Sequence, residues 1–250
     1  MRLLIFGATG GTGRALVEQA LAQGHVVTAF ARDPAKVRSA HQNLTIARGS
    51  MLDIDSVEAA VKGQDAVLSA LGTSLPVGLW VVATALCLIF AKVLALHGPM
   101  GLAVRIGGPI LANLILFRKT TALSEGTRNI IQAMEKHGVR RLICESSLGV
   151  AGSKGRLGIL YNLVVIPLLL RNVFADKAVQ EETIQTSSLA WVIVRPSSLT
   201  NGPRKGIYRT GMDIGHWLRP TSISRADVAD FMLKQLTDDT WLRKTPGVAY

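Results

Sequence analysis

The chain has little that would staple it or bind a metal. Its 250 residues contain two cysteines, Cys87 and Cys144. Both sit in apolar surroundings without metal-ligand spacing, which excludes a disulfide framework and a zinc ribbon and fits a reduced intracellular compartment. Aromatic residues make up 5% of the chain, and no run interleaves them with the scattered basic residues, so a nucleic-acid platform is not expected. Acidic residues are scarce: 17 Asp and Glu stand against 28 Lys and Arg, a formal charge of +11 that favours an anionic partner such as a phosphorylated cofactor or a lipid surface. No internal repeat or low-complexity linker is visible, and with an apolar strand reading from Met1 no secretory leader is expected. The length suits one large α/β domain, residues 1–250, able to bury its own core.

What the sequence does have stands at its start. Arg2 to Phe6 form an apolar, β-branched run suited to a strand buried on both faces, followed by Gly7-Ala8-Thr9-Gly10-Gly11-Thr12-Gly13 and a helical pattern from Arg14 to Gln23. Gly7 allows a sharp turn, Gly10 lets the main chain approach a pyrophosphate, and Gly13 lets the helix pack closely. The free N–H groups and positive dipole end of that helix would face the anion. A strand before the glycines and a helix after them is the context that a dinucleotide-binding turn requires.

Strands and helices then alternate, which predicts a Rossmann-like, doubly wound parallel sheet with helices on both faces. His25 to Ala31 read as the second strand, with a short helix following from Pro34 to Ala40. An acid at the end of this strand would bond a ribose 2′-hydroxyl, whereas arginine accepts a 2′-phosphate. Arg32 occupies the place, so NADPH is expected over NADH; Asp33 beside it reads as a helix cap. Asn43 to Ala47 give the third strand, Ile54 to Lys62 a helix capped by Asp53, and Gln64 to Leu71 the fourth strand. Gly72 and Thr73 then fall at the carboxyl edge, where ligands bind in such sheets. Further on, Thr120 to His137 form a helix stopped by Gly138, Val139 to Cys144 the fifth strand, Asp176 to Ser187 a helix, Ala190 to Val194 the sixth strand, and Ser224 to Leu236 the last long helix.

One segment breaks the alternation. Leu75 to Leu96 are 22 residues with Lys92 as the only charge, and a second apolar stretch runs from Leu102 to Phe117. The first is long enough to cross a hydrocarbon core of about 30 Å at about 1.5 Å per residue. Two readings stay open for the insertion 75–117: a buried helical hairpin or dimer interface, and a membrane-inserted or interfacial hairpin with Arg118 and Lys119 as headgroup anchors. It also accounts for a mean hydropathy of +0.31. The expected location is cytoplasmic, with the second reading adding the inner face of a membrane.

With these residues placed, the chain resembles the atypical short-chain dehydrogenase/reductases with an NAD(P)H-binding, NmrA-like fold, nearest to the flavin/biliverdin-reductase-like branch. The stretches that carry the likeness are IFGATGGTGRALVEQALAQGHVVTAFARDPAKV, GQDAVLSALGT, SEGTRNIIQAMEKHGVRRLICESS, LAWVIVRPSSLTNGP and ISRADVADFMLKQLTDDTWLRKTP. The resemblance implies that Gly7, Thr9, Gly10, Thr12 and Gly13 hold the pyrophosphate and Arg32 the 2′-phosphate. It implies Ser50 and Met51 at the adenine, Ser50 standing where relatives usually carry aspartate. Leu71, Gly72 and Thr73 would lie along the nicotinamide ribose, Pro196 and Ser197 near the nicotinamide. Ser146 and Ser147 fall at the serine or threonine beside the substrate, and Lys177 at the lysine that bonds the cofactor ribose.

Four residues before Lys177, where conventional members carry the proton-donating tyrosine, stands Val173. Hydride transfer to an ordinary carbonyl needs a positioned acid. An oxidoreductase lacking it is expected to reduce an acceptor that takes hydride with little help: a flavin, quinone or tetrapyrrole, flat and apolar. The alternative is a non-catalytic NAD(P)H-binding redox sensor or assembly factor. Locally, Ser146 and Ser147 could bond only the backbone, and Lys177 could be a solvated residue paired with Glu181 at i+4. His216, in the loop from Gly211 to Pro220, is a further candidate acid.

Overall fold

The computed structural model describes residues 1–72, 121–159 and 161–250. Thr73 and the insertion expected at 75–117 lie outside them. β1 (Arg2–Phe6), β2 (Val26–Ala31), β3 (Leu44–Arg48), β4 (Ala66–Ser69), β5 (Arg141–Glu145) and β6 (Ala190–Pro196) are all parallel and follow the spatial order β3-β2-β1-β4-β5-β6. The order reverses between β1 and β4, the crevice where open α/β sheets receive their ligands. Two short strands, β8 (Arg209–Gly211) and β10 (Gly247–Ala249), extend the sheet to eight strands: β10 lies parallel to β6 and β8 antiparallel to β10. A separate parallel ribbon joins β7 (Ser198–Thr200) to β9 (Ser222–Ser224).

The five α-helices of the described residues are α1 (Gly11–Ala22), α2 (Ile54–Val61), α3 (Ala122–His137), α4 (Arg171–Gln185) and α5 (Arg225–Lys234). Side chains of a strand alternate between faces, and here both faces are covered. Leu3 and Ile5 pack with Leu16 and Val17 of α1 and Val228 and Met232 of α5, while Leu4 and Phe6 pack with Val57 and Val61 of α2 and Ile130 and Met134 of α3. The middle residues of the central strands therefore have to be mostly apolar, as their sequences are.

Several local expectations change. The helix after the glycines begins at Gly11 and not Arg14, so Gly13 lies inside its first turn. The helix expected to reach Ala40 is one 3-10 turn, Pro34–Lys36, with Asp33 capping it as anticipated by accepting from the Ala35 N–H. Asp53 holds the N-cap position of α2, yet its carboxylate makes no capping bond. Ser56 Oγ instead donates to the carbonyls of Ser50 and Asp53 at 3.1 and 3.0 Å, closing the entry turn. Tyr161–Leu170, with Pro167 inside, are π-helical and run directly into α4, which starts at Arg171 and not Asp176. A proline lacks the N–H that an α-helical turn would use, and a wider turn accommodates it. Gly138 ends α3 with φ +70° as expected, and Ser224 caps α5 by accepting from the Asp227 N–H.

Two buried charge contacts fix α4. Asp176 accepts from the N–H groups of Leu123 and Ser124 at 3.0 and 3.1 Å, capping α3 from outside. Glu181 receives both Nε and Nη2 of Arg195 on β6, at 3.0 and 2.5 Å, with both side chains out of solvent. The alternative in which Lys177 pairs with Glu181 is thereby set aside: this face of α4 lies against the sheet, and a β6 arginine takes the carboxylate. Removing one partner strands the other without water. Glu181→Leu is expected to cost about 3–5 kcal/mol in urea unfolding, whereas the double change Glu181→Leu with Arg195→Met recovers much of that loss. Equal costs for the single and double variants would refute this account.

Candidate functional site: a nucleotide cradle at the sheet switch point

The site begins where β1 ends. Gly7 has φ +77°, and a Cβ there would lie 2.4 Å from the Ala70 carbonyl oxygen just beyond β4. Gly10 N–H donates to the Gly7 carbonyl at 2.9 Å, which closes the turn. A Cβ on Gly13 would fall 2.0 Å from that same carbonyl. Any side chain at Gly7 or Gly13 would push α1 away from the strand tips.

Gly10 is the N-cap of α1, no side chain caps the helix, and its first turn carries no acidic residue. The leading N–H groups of a helix have no partner within it. Gly10 and Gly11 are exposed, so the turn offers uncapped donors and the positive end of a dipole to an anion arriving from outside. A dinucleotide pyrophosphate fits this cradle.

Behind the turn lies a carboxyl that the sequence reading passed over. Thr12 Oγ1 donates to Oε1 of Glu145 at 3.0 Å across the carboxyl end of β5. Burial pushes the Glu145 carboxyl above its ordinary value, against the opposing effects of Lys177, the Thr12 hydrogen bond and Arg225. Lys177 is itself buried, with Nζ 3.4 Å from the Glu145 carbonyl oxygen. The solvated alternative for this lysine is thereby excluded. Burial also raises the neighbouring Cys144 thiol to about 12, so it is no thiolate nucleophile.

The expected serines divide. Ser146 N–H donates to the Val194 carbonyl at 2.7 Å, and its hydroxyl is buried with no partner among the described residues. Ser147 Oγ donates locally, to the Leu148 carbonyl at 2.9 Å. Ser197 is held by its N–H on the Val248 carbonyl at 3.0 Å, and its hydroxyl also lacks a partner among the described residues. Pro196 anchors the same region by accepting from the Leu148 N–H at 2.9 Å. Two unpartnered hydroxyls thus stand at the carboxyl ends of adjacent strands, which is where a ligand would supply the missing bonds.

The remaining candidates are spread along that edge. Arg32 is exposed at the end of β2. Arg48 closes β3 opposite Ala31 in register, a second arginine at this corner that no local motif announced. Ser50 shapes its own turn, Oγ accepting from the Leu52 N–H at 3.3 Å, and Met51 packs against Gly126 of α3. Leu71 is partly buried against the α2–α3 side of the core and Gly72 is exposed. Val173 lies one turn before Lys177 on α4, and Tyr161 lies in the π-helical segment before it. His216 is exposed, with Nδ1 accepting from the N–H groups of Leu218 and Arg219, so it serves its own turn. Among the described residues no group of His, Cys, Asp and Glu could hold a metal ion, and no helix is long and apolar enough to cross a membrane.

The sequence profile of the NAD(P)H-binding family matches residues 7–239. The chain belongs to that family. An uncharacterized chloroplastic protein of Arabidopsis thaliana, At2g34460, is 26% identical over 244 residues, covering 95% of this chain and 72% of that protein. Solved structures share the fold. ChuY, described as an anaerobilin reductase from Escherichia coli O157:H7, superposes with a TM-score of 0.69 at 20% identity, covering 99% of this chain and 96% of its own. A short-chain dehydrogenase/reductase from Veillonella parvula, solved in complex with NADP, gives 0.69 at 17% identity over 100% and 94%. The oxidoreductase ylbE from Lactococcus lactis gives 0.68 at 18% identity over 99% and 90%.

For this NAD(P)H-binding chain the Glu145 carboxyl has a measurable signature. A raised pKa means that the folded protein holds the proton more tightly than the unfolded chain, so stability falls as pH rises from the ordinary value of 4.5 through the folded one. Glu145→Gln removes that dependence. In thermal unfolding without ligand the variant is expected to gain on the parent at about pH 8 and to lose the advantage toward pH 4.5. A difference that stays constant with pH, or grows in acid, would contradict the burial argument.

Proposed function

We propose that this chain is an NADPH-dependent reductase that passes hydride to a flat, conjugated acceptor of the tetrapyrrole, flavin or quinone class. One observation carries the reading: Lys177 is buried beside the cradle, and the helical turn before it presents Val173 and no phenol. Bound NADPH supplies the hydride. The protein's part is to orient cofactor and acceptor, because no tyrosine stands at that position to protonate an isolated carbonyl. Conjugated acceptors spread the incoming charge and draw their proton from water.

In this reading Gly7, Thr9, Gly10, Thr12 and Gly13 bind the pyrophosphate, and Lys177 the nicotinamide ribose. Leu71, Gly72 and Thr73 line that ribose, Pro196 and Ser197 the nicotinamide, Ser50 and Met51 the adenine. Ser146 and Ser147 face the acceptor. Arg32 takes the 2′-phosphate with Arg48 beside it, which favours NADPH over NADH. Tetrapyrroles lead the acceptor classes because ChuY, a structural neighbour, is described as an anaerobilin reductase. The apolar stretch 75–117 follows Gly72 in sequence and is the segment proposed to cover an apolar acceptor or to rest on a lipid surface.

The test is consumption of NADPH with tetrapyrrole, flavin and quinone acceptors, run beside binding of NADPH and NADH to the same preparation. Turnover with one class establishes the reductase. Saturable binding without turnover by any class would instead place the chain with dinucleotide-binding sensors or assembly factors. Arg32→Ala is expected to weaken NADPH binding about tenfold or more, the loss of a charge-assisted bond, and to leave NADH unchanged. Equal losses for both cofactors would remove Arg32 from the 2′-phosphate site.

A further inference from the structure

The glycine turn carries no cation of its own: Ala8, Thr9, Thr12 and the glycines are neutral, and Arg14 is exposed on α1 beyond them. A cation reaches it from the far end of the chain. The space that a Cβ on Gly11 would enter is filled by Arg225, whose Cδ and Nε would lie 2.4 and 2.8 Å from that atom. The placement follows from the β7–β9 ribbon. Thr200 and Ser224 are register partners, so the next residues, Asn201 and Arg225, emerge side by side, and Arg225 Nη1 donates to Asn201 Oδ1 at 2.6 Å. Helix α5 begins at Arg225 and packs along α1, with Gln19 Nε2 donating to the Ala226 carbonyl at 2.8 Å.

Electrostatically this is an odd place for a guanidinium. It stands at the first position of one helix and against the first residue of another, both positive dipole ends. Asp227 in the first turn of α5 offsets part of this, but its carboxylate is already engaged by Ser224, Tyr250, Lys205 and Gly206. The buried Glu145 carboxyl, bonded to Thr12, lies near enough for Arg225 to favour its ionised form. Three sources of positive potential thus converge on an exposed turn, against two buried carboxyls that already hold bonds elsewhere, Asp227 and Glu145.

We propose that Arg225 is the cation of the cofactor's pyrophosphate site, reaching over Gly11 to the phosphates that the α1 N–H groups receive. This rests on the NAD(P)H reading of the cradle and adds a residue outside the glycine turn. Because NADPH and NADH share the pyrophosphate and differ at the 2′-phosphate, Arg225 and Arg32 have separable signatures.

The experiment is calorimetric or fluorescence titration of the full chain, parent and variants, with NADPH, NADH and adenosine 2′-monophosphate, which has a 2′-phosphate and no pyrophosphate. Arg225→Met is expected to weaken NADPH and NADH alike, by about ten- to a hundredfold, as for a lost charge-assisted bond, and to leave adenosine 2′-monophosphate unchanged. Arg225→Lys, which keeps the charge, recovers part of the loss. Should the Met variant fail to fold, Arg225→Gln, which can still bond Asn201, gives the same comparison. Unchanged affinity for both dinucleotides in a folded variant overturns the proposal, as does an equal loss for adenosine 2′-monophosphate. A parent that binds neither dinucleotide overturns the functional reading itself.

Discussion

The structure depends on one place where three backbone segments meet without side chains between them. At the tip of β1, Gly7 approaches the Ala70 carbonyl beyond β4, while Gly13 of α1 sits against the Gly7 carbonyl. Two missing Cβ atoms let a helix start directly on the edge of a parallel sheet, at the point where strand order reverses. The helix thus begins at an exposed Gly10-Gly11 pair without a capping side chain. Everything else that bears on ligand chemistry is arranged around that turn. Thr12 leans back to Glu145, Arg225 crosses from α5, and β5 and β6 end nearby with Ser146 and Ser197.

A second constraint is the burial of charge on the β5, β6 and α4 side. Asp176, Lys177, Glu181, Glu145 and Arg195 are all nearly inaccessible. Each would be costly alone, and several are matched to a partner that also fixes an element: Asp176 holds the start of α3, and Glu181 ties α4 to β6. Lys177 inherits its place from its neighbours. One residue along the helix from Asp176 and one turn before Glu181, it is delivered to the end of β5 with little freedom to leave. Positioning of this kind is what a side chain needs to hold a ligand in one orientation.

Much of this was legible in the sequence, and the reasons for the rest are physical. The inner strands β1 and β4 to β6 are mostly apolar because both faces are covered, so each announces itself locally, and Gly13 is required by a contact within the same strand, turn and helix unit. β7 to β10 are three residues each and exist through pairing with distant partners; a period-two signal cannot be read in three residues. The alternative pairing of Lys177 with Glu181 stayed open because i+4 spacing says that two residues share a helix face and not whether that face meets water. Glu145 was passed over because a carboxylate at a strand end looks solvent-facing until Thr12 closes over it. Arg225 had no signal at all near Gly11, from which it is separated by most of the chain.

The donors left at the carboxyl edge bear on what chemistry this site can support. Ser146 and Ser197 bring hydroxyls without partners among the described residues, yet a serine hydroxyl is too weak an acid to deliver a proton by itself and can only orient a group or relay from a stronger donor. Lys177 is buried with its Nζ 3.4 Å from the Glu145 carbonyl oxygen, a fixed position that suits it to anchoring a group. Burial pushes the Glu145 carboxyl toward keeping its proton, but its side-chain hydrogen bond is with Thr12 of the glycine turn and not with the serines. Among the described residues the edge is therefore rich in groups that orient and poor in groups that protonate. Such a constellation suits a reaction whose difficult step is bringing two flat rings face to face, with the proton arriving afterwards from solvent.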